Sequence, residues 1–239
     1  MALKRYLLAQ QYNPGIVGLF VNPFYHARRG LYQAISDVAG RFEGRLLDVG
    51  CGRKPYRSLF GNCEYAGLEI DTPANRSDKH ADYYYDGTTF PFSDRCFDSV
   101  MCNQVLEHVF TPERFLGEIH RVLRPGGRLL LTVPFVWDEH EQPWDYARYS
   151  SFGLKHLLER NGFAVSEQHK INADVRALFQ LVNAYLYKVL WTRWAAANLV
   201  ICVVAMAPFN ILGALLHRLL PGNPDLYLDQ LVLATKVEK

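Results

Sequence analysis

The sequence predicts an α/β fold in which repeated βα units build a doubly wound, mostly parallel sheet. Three observations carry that reading. Short apolar runs alternate with longer stretches of helical periodicity through the middle of the chain. The run RLLDVG, residues 45 to 50, ends in a glycine-rich turn, as a buried strand entering a ligand crevice does. The next apolar run closes on an acid, Glu69, 21 residues after Asp48. The chain has 239 residues, 49% hydrophobic and 21% charged, which is long and apolar enough to bury one such domain.

In chain order, residues 24 to 41 read as a helix ahead of the first strand, and residues 1 to 23 fit either an apolar lid or a partner-facing arm. Strands follow at 45–50, 64–70, 83–85 and 97–103. Thr111 and Pro112 resemble a helix cap and first turn, Phe115, Leu116, Ile119, Val122 and Leu123 form the apolar stripe, and Pro125-Gly126-Gly127 is expected to stop the helix. Strand 128–133 comes next, then a helix capped by Ser150 or Ser151 and ended at Gly162, strand 163–171, and a closing strand 226–236.

Composition excludes several classes. Lys and Arg total 26 against 24 Asp and Glu, a net charge of +2 without a basic run, so nucleic acid is not an expected partner. Five cysteines, with no CxxC pair, fit neither a disulfide framework nor a zinc pattern, and no residue is assigned to a metal. They point to a reducing, cytoplasmic compartment, and Gln10, Gln11, Asn13 and Pro14 break the apolar stretch that a signal peptide needs.

The strongest chemical signal is LLDVGCGRKPY, residues 46 to 56. Glycines at 50 and 52 let the backbone turn tightly and approach a bound nucleoside, and a carboxylate at the end of the next strand suits the two vicinal hydroxyls of a ribose. Glu69 is the candidate for that role and Asp71 its rival. A dinucleotide site is disfavoured, because GxGxxG needs glycine where Pro55 stands.

Taken together, DVGCG (48–52), DGTTFPFSDRCFD (86–98), VLEH (105–108) and RVLRPGG (121–127) resemble the class I S-adenosylmethionine-dependent methyltransferases, in particular a large bacterial group with these motifs in this order. The resemblance spans roughly residues 41 to 170. It implies a Rossmann-like, seven-stranded sheet with an antiparallel last strand, and S-adenosyl-L-methionine as cofactor. It further implies that Gly50, Cys51 and Gly52 line the methionine and ribose, Glu69 holds the ribose with Ile70 beside it, Asp86 and Gly87 face the adenine, Asn103 lies near the methionine moiety, and Asp48 orients the glycine loop. Lys54 departs from the group's pattern, standing where a third glycine is usual, so the loop's exit is expected to differ.

The loop PFVWDEHEQPWDYARYS, residues 134 to 150, belongs to the substrate by its place after a strand. It resembles a subgroup frequent in bacterial cell-surface glycan pathways. His140 is the candidate base for an acceptor hydroxyl, oriented by Glu141. The alternative is a loop stapled by His140, Asp145, Arg148 and Tyr149, and His108 reads as a structural or cofactor-side residue.

Residues 172 to 224 form an apolar helical insertion between the last two strands, with 23 uncharged residues from Trp194 to Leu216. Val175, Leu178, Phe179, Val182, Tyr185, Leu186 and Val189 make an apolar face opposite Arg176, Gln180 and Asn183. Trp191, Trp194, Lys188 and Arg193 form an interfacial fringe, so the insertion is expected to meet the inner membrane face, a second copy of the chain, or the domain itself. The expected organisation is a single domain over 1–239, with an arm and helix (1–41), a cofactor-binding core (42–171), the insertion (172–224) and a final strand and tail (225–239). The expected function is O-methylation of a glycan or lipid-linked acceptor. A quinone-like or other hydrophobic small molecule is the alternative acceptor, and a non-catalytic cofactor-binding subunit the alternative role.

Overall fold

The computed structural model describes residues 10–238; the expectation for residues 1–9 lies outside the described residues. The strands are β1 (Gly44–Val49), β2 (Cys63–Ile70), β3 (Tyr83–Tyr85), β4 (Phe97–Asn103), β5 (Leu123–Pro134), β6 (Phe163–Ile171) and β7 (Asp229–Lys236). They form one seven-stranded sheet in the order β3-β2-β1-β4-β5-β7-β6, mostly parallel, with the antiparallel last strand predicted for it. In register, Leu46, Leu47, Asp48 and Val49 face Tyr65, Ala66, Gly67 and Leu68 on one side and Ser99, Val100, Met101 and Cys102 on the other. The carboxyl ends of β1, β2 and β4 therefore lie along one edge.

Helices α1 (Gly18–Val21), α2 (Tyr25–Ala39), α3 (Pro73–Asp78), α4 (Pro112–Val122), α5 (Ser151–Arg160), α6 (Val175–Leu190) and α7 (Ala195–Leu216) complete the described chain. The α5 cap is Ser150, whose Oγ accepts the Gly153 amide at 3.2 Å. Thr111 makes no such bond to α4, which starts on Pro112 alone. Helix α3 is unforeseen, although Thr72-Pro73 is a cap signal: Thr72 Oγ1 accepts the Asn75 amide.

The PGG segment corrects the sequence reading. Helix α4 ends at Val122 and β5 begins at Leu123, so Pro125-Gly126-Gly127 lies inside the strand instead of stopping the helix. Pairing jumps from Phe97–Leu123 to Ser99–Arg128, with Gly126 at φ +71°; the segment is a bulge that the positive-φ glycine permits.

The described chain divides into two compact units. The sheet unit comprises Ile35–Phe135, Glu139–His169 and Gln230–Lys239. Its core packs Leu47, Val49, Val100, Leu129, Leu131 and Val232 with Phe97, Leu116, Ile119 and Leu154, all fully buried, at about 1.5–3 kcal/mol each. The helical unit comprises residues up to Ala34, Val136–Asp138 and Lys170–Asp229. It separates because it has an interior of its own, held largely by amide side chains. Gln180 Oε1 accepts the His26 and Ala27 amides at 3.0 and 3.2 Å, and its Nε2 donates to the Pro23 carbonyl at 2.9 Å. Asn183 Nδ2 donates to Asn210 Oδ1 at 2.8 Å. On α6, Gln180 and Asn183 are inside, and much of the apolar stripe is outside.

Candidate active site

Strand β1 turns into the glycine loop because the Gly50 and Cys51 amides both donate to the Leu68 carbonyl on β2, at 2.9 and 3.2 Å. Gly50 has φ +72°, and a Cβ there would lie 2.3 Å from Val105 Cγ2. At Gly52, with φ +52°, a Cβ would meet nothing nearer than Lys79 Cδ at 4.0 Å, so the space above this glycine is open to a ligand. The Gly52 amide donates to Glu69 Oε2 at 2.9 Å. Glu69 is thereby fixed at the loop, nearly buried, with Lys79 Nζ 3.6 Å away. Its rival Asp71 is exposed and taken by Arg76 at 2.6 and 2.8 Å. An open glycine beside a positioned carboxylate fits the ribose and methionine parts of S-adenosylmethionine.

Lys54 holds φ +54°, a left-handed conformation, at a cost of about 1–2 kcal/mol. Its Nζ pairs with Asp82 Oδ2 at 2.6 Å, which anchors the residue there. Beneath it lies Gly67 of β2, a position the sequence reading passed over. A Cβ at Gly67 would stand 2.5 Å from Lys54 Cε and 2.7 Å from Cys51 Sγ. Gly67→Ala is therefore expected to lift the loop, lowering Tm and cofactor affinity together, since such overpacking costs about 1–3 kcal/mol. Wild-type values in a thermal melt and a binding titration would contradict this.

Asp48 is placed differently from the role its motif implies. Its Oδ2 accepts the Tyr65 hydroxyl of β2, whereas the loop amides go to Leu68 and Glu69. Burial first, and then nearby Glu69, push its carboxyl up to about 7 against the pull of the Tyr65 bond. Between about pH 4 and 7 the folded chain then holds a proton that the unfolded chain releases, so stability falls as pH rises through that window. Asp48→Asn is expected to flatten that slope in thermal melts across the window, and an unchanged slope would contradict it. Cys51 is buried and its thiol pushed up to about 12, chiefly by burial, so it stays neutral and lines the loop as an apolar group.

Along the same edge, Ile70 is part-exposed after Glu69, and Gly87 sits at φ +84° with Ile70 Cδ1 3.1 Å from where its Cβ would be. Asp86 Oδ1 accepts the Thr88 amide and hydroxyl and the Thr89 amide, at 2.7 to 2.9 Å; these bonds draw its carboxyl down to about 2 and shape the loop after β3. Asn103 ends β4, its Oδ1 accepting the Thr132 hydroxyl at 2.7 Å.

After β5, the aromatic loop brings His140 against His108, with ring centroids 4.8 Å apart. Asp145, not Glu141, orients the imidazole: its Oδ2 lies 3.2 Å from Nδ1 and accepts the His140 amide at 2.9 Å. Asp145 is itself clamped by Arg148 at 2.6 and 2.7 Å, and the clamp with the His140 amide outweighs its burial, drawing the carboxyl down to about 2. Arg148 Nη2 also comes within 3.5 Å of His140 Nδ1. The staple therefore holds the candidate base. Glu141 stands in a left-handed turn at φ +50°, its carbonyl accepting the Trp144 amide. The Glu107 carboxylate, His108 and His140 place one potential ligand atom each within 4.8 Å of one another, a donor set that a divalent metal can use and that the sequence did not announce.

Residues 47–131 match the family model described as a methyltransferase domain. A tRNA (carboxymethyluridine(34)-5-O)-methyltransferase from Arabidopsis thaliana is 33% identical over 94 residues, 37% of this chain and 23% of that protein. O-methyltransferase rstn1 from Aspergillus nomiae is 28% identical over 163 residues, 58% of this chain and 71% of that protein. This chain thus spans about a quarter of the first and most of the second. In structure, phosphoethanolamine N-methyltransferase 2 of Haemonchus contortus, in complex with S-adenosyl-L-methionine, superposes with a TM-score of 0.55 at 16% identity, over 97% of this chain and 59% of that one. That likeness is one of fold. Residues 47–131 thus match a methyltransferase domain, and the sheet that carries them has the fold of a solved S-adenosyl-L-methionine-binding methyltransferase.

Proposed function

We propose that this chain transfers a methyl group from S-adenosylmethionine to a hydroxyl oxygen of a glycan or lipid-linked acceptor at the cytoplasmic face of a membrane. The observation that carries this reading is the imidazole of His140, held by Asp145 in the loop after β5. The cofactor supplies a methyl group already activated by its sulfonium. The chain has to aim the acceptor oxygen along the methyl–sulfur axis and remove its proton as the oxygen–carbon bond forms and the carbon–sulfur bond breaks. His140 Nε2 takes that proton, and the ionised Asp145 stabilises the resulting imidazolium across Nδ1. Arg148 locks Asp145, so the imidazole keeps one orientation. Two relatives whose names state oxygen methylation support an oxygen acceptor.

The test incubates the purified chain with methyl-labelled cofactor and with separated soluble and lipid extracts. Label in a lipid-extractable, sugar-bearing product is expected. Label in a sugar-free phenol would favour the quinone-like acceptor instead, and an unlabelled lipid fraction would contradict the reading.

A further inference from the structure

The helical unit is built inside out. On α6, Leu178, Val182, Tyr185 and Val189 recur at intervals of four, three and four residues, which is one face of a helix, and all four are exposed. The opposite face buries Gln180 and Asn183 completely. Helix α7 repeats the pattern over 22 residues without a charge: Asn198 and Asn210 are buried while Val200 and Val204 are 61% and 69% exposed. A π-turn at Cys202–Met206 precedes Pro208, so the helix continues past the proline. Most inner polar groups are paired: Asn210 Nδ2 donates to the Leu19 and Asn22 carbonyls at 3.0 Å each, and Asn183 donates through Nδ2 although its Oδ1 has no partner. Water favours the reverse distribution, and an apolar solvent favours this one.

Charge selects among apolar surroundings. From Val175 to Pro224 there is no Asp or Glu, while Arg193 stacks on exposed Trp194 and Arg218 follows the end of α7. Tryptophan and cations at the ends of apolar helices suit the headgroup region of an anionic bilayer. A single crossing is excluded, because β6 and β7 are neighbours in one sheet and the segment between them must return to the side it left.

We infer that the outer face of α6 and α7 is a monotopic docking surface that seats in the headgroup and upper acyl layer of an anionic bilayer. It supplies the membrane part of the proposed function, but stands on the burial pattern of the helical unit alone.

Flotation of the full chain with phosphatidylcholine vesicles, with and without phosphatidylglycerol, tests it. The chain floats, more strongly with the anionic lipid and less in high salt. Val204→Asp, an exposed position that leaves the fold intact, reduces flotation about tenfold, and Arg193→Gln removes part of the anionic preference. Unchanged circular dichroism and cofactor affinity confirm that both variants are folded. A chain that stays at the bottom, or floats equally well as Val204→Asp, overturns the inference. So does a lipid-free dimer that Val204→Asp dissociates, since the face would then belong to a second copy. A chain that floats but transfers no methyl group contradicts the proposed activity and leaves this surface standing; one that labels an acceptor without floating does the reverse.

Discussion

Glu69→Ala is expected to weaken S-adenosylmethionine binding about a hundredfold, because it removes charge-assisted hydrogen bonds worth about 1.5–3 kcal/mol each. The loss has two parts. Glu69 is the carboxylate at the carboxyl end of β2 that we propose meets the ribose hydroxyls, and it also accepts the Gly52 amide at 2.9 Å, which holds the glycine loop in place. Glu69→Gln separates the two, since an amide oxygen still accepts from Gly52 while the negative charge is gone. Its expected loss is nearer tenfold, by the same reckoning. Equal affinities for wild type and Glu69→Ala in a calorimetric titration would show that the ribose binds elsewhere.

His140→Ala is expected to lower kcat by about 10²- to 10³-fold, the usual worth of a positioned base, with cofactor affinity unchanged. The two effects separate because His140 belongs to the loop after β5, whereas the glycine turn and Glu69 belong to β1 and β2. The rate of the wild type should rise with pH through one ionisation that is absent from the variant. Asp145→Asn should fall between the two, keeping the imidazole but not its charged partner. A His140→Ala enzyme with unaltered turnover would mean an acceptor, such as a carboxylate, that needs no base.

The sheet was legible because buried parallel strands are short apolar runs bounded by glycine, proline or polar residues. FDSVMCN coincides with buried β4 residue for residue, and FAVSEQHKI with the edge strand β6, where only Phe163 and Ile171 are buried. Where local chemistry competes with pairing, the reading failed. Pro125-Gly126-Gly127 has the composition of a helix stop, but β4 recruits it into β5 as a bulge, and only the neighbouring strand decides that. Periodicity placed the apolar stripe of α6 and left its direction open. A helical pattern states that two faces differ; which one turns inward depends on partners such as the His26 amide, 154 residues from Gln180 in sequence.

At the site, Glu69 followed from its place at a strand end, and the structure ties it to Gly52. The partner of His140 was legible only in the stapled-loop reading, which grouped it with Asp145 and Arg148, and not in the one that paired it with Glu141. Glu141 adjoins it in sequence, but the left-handed turn at Glu141 lets the chain fold back and present Asp145 to the imidazole. Gly67 was illegible for a related reason: its lack of a side chain matters only because Lys54 and Cys51 of the preceding loop lie across it.

The measurement that bears most directly on the whole account is equilibrium binding of S-adenosylmethionine, and of its demethylated product, to the purified wild-type chain. Saturable binding at one site, lost on Glu69→Ala, is the predicted result. A folded chain with no measurable affinity for either compound would contradict it.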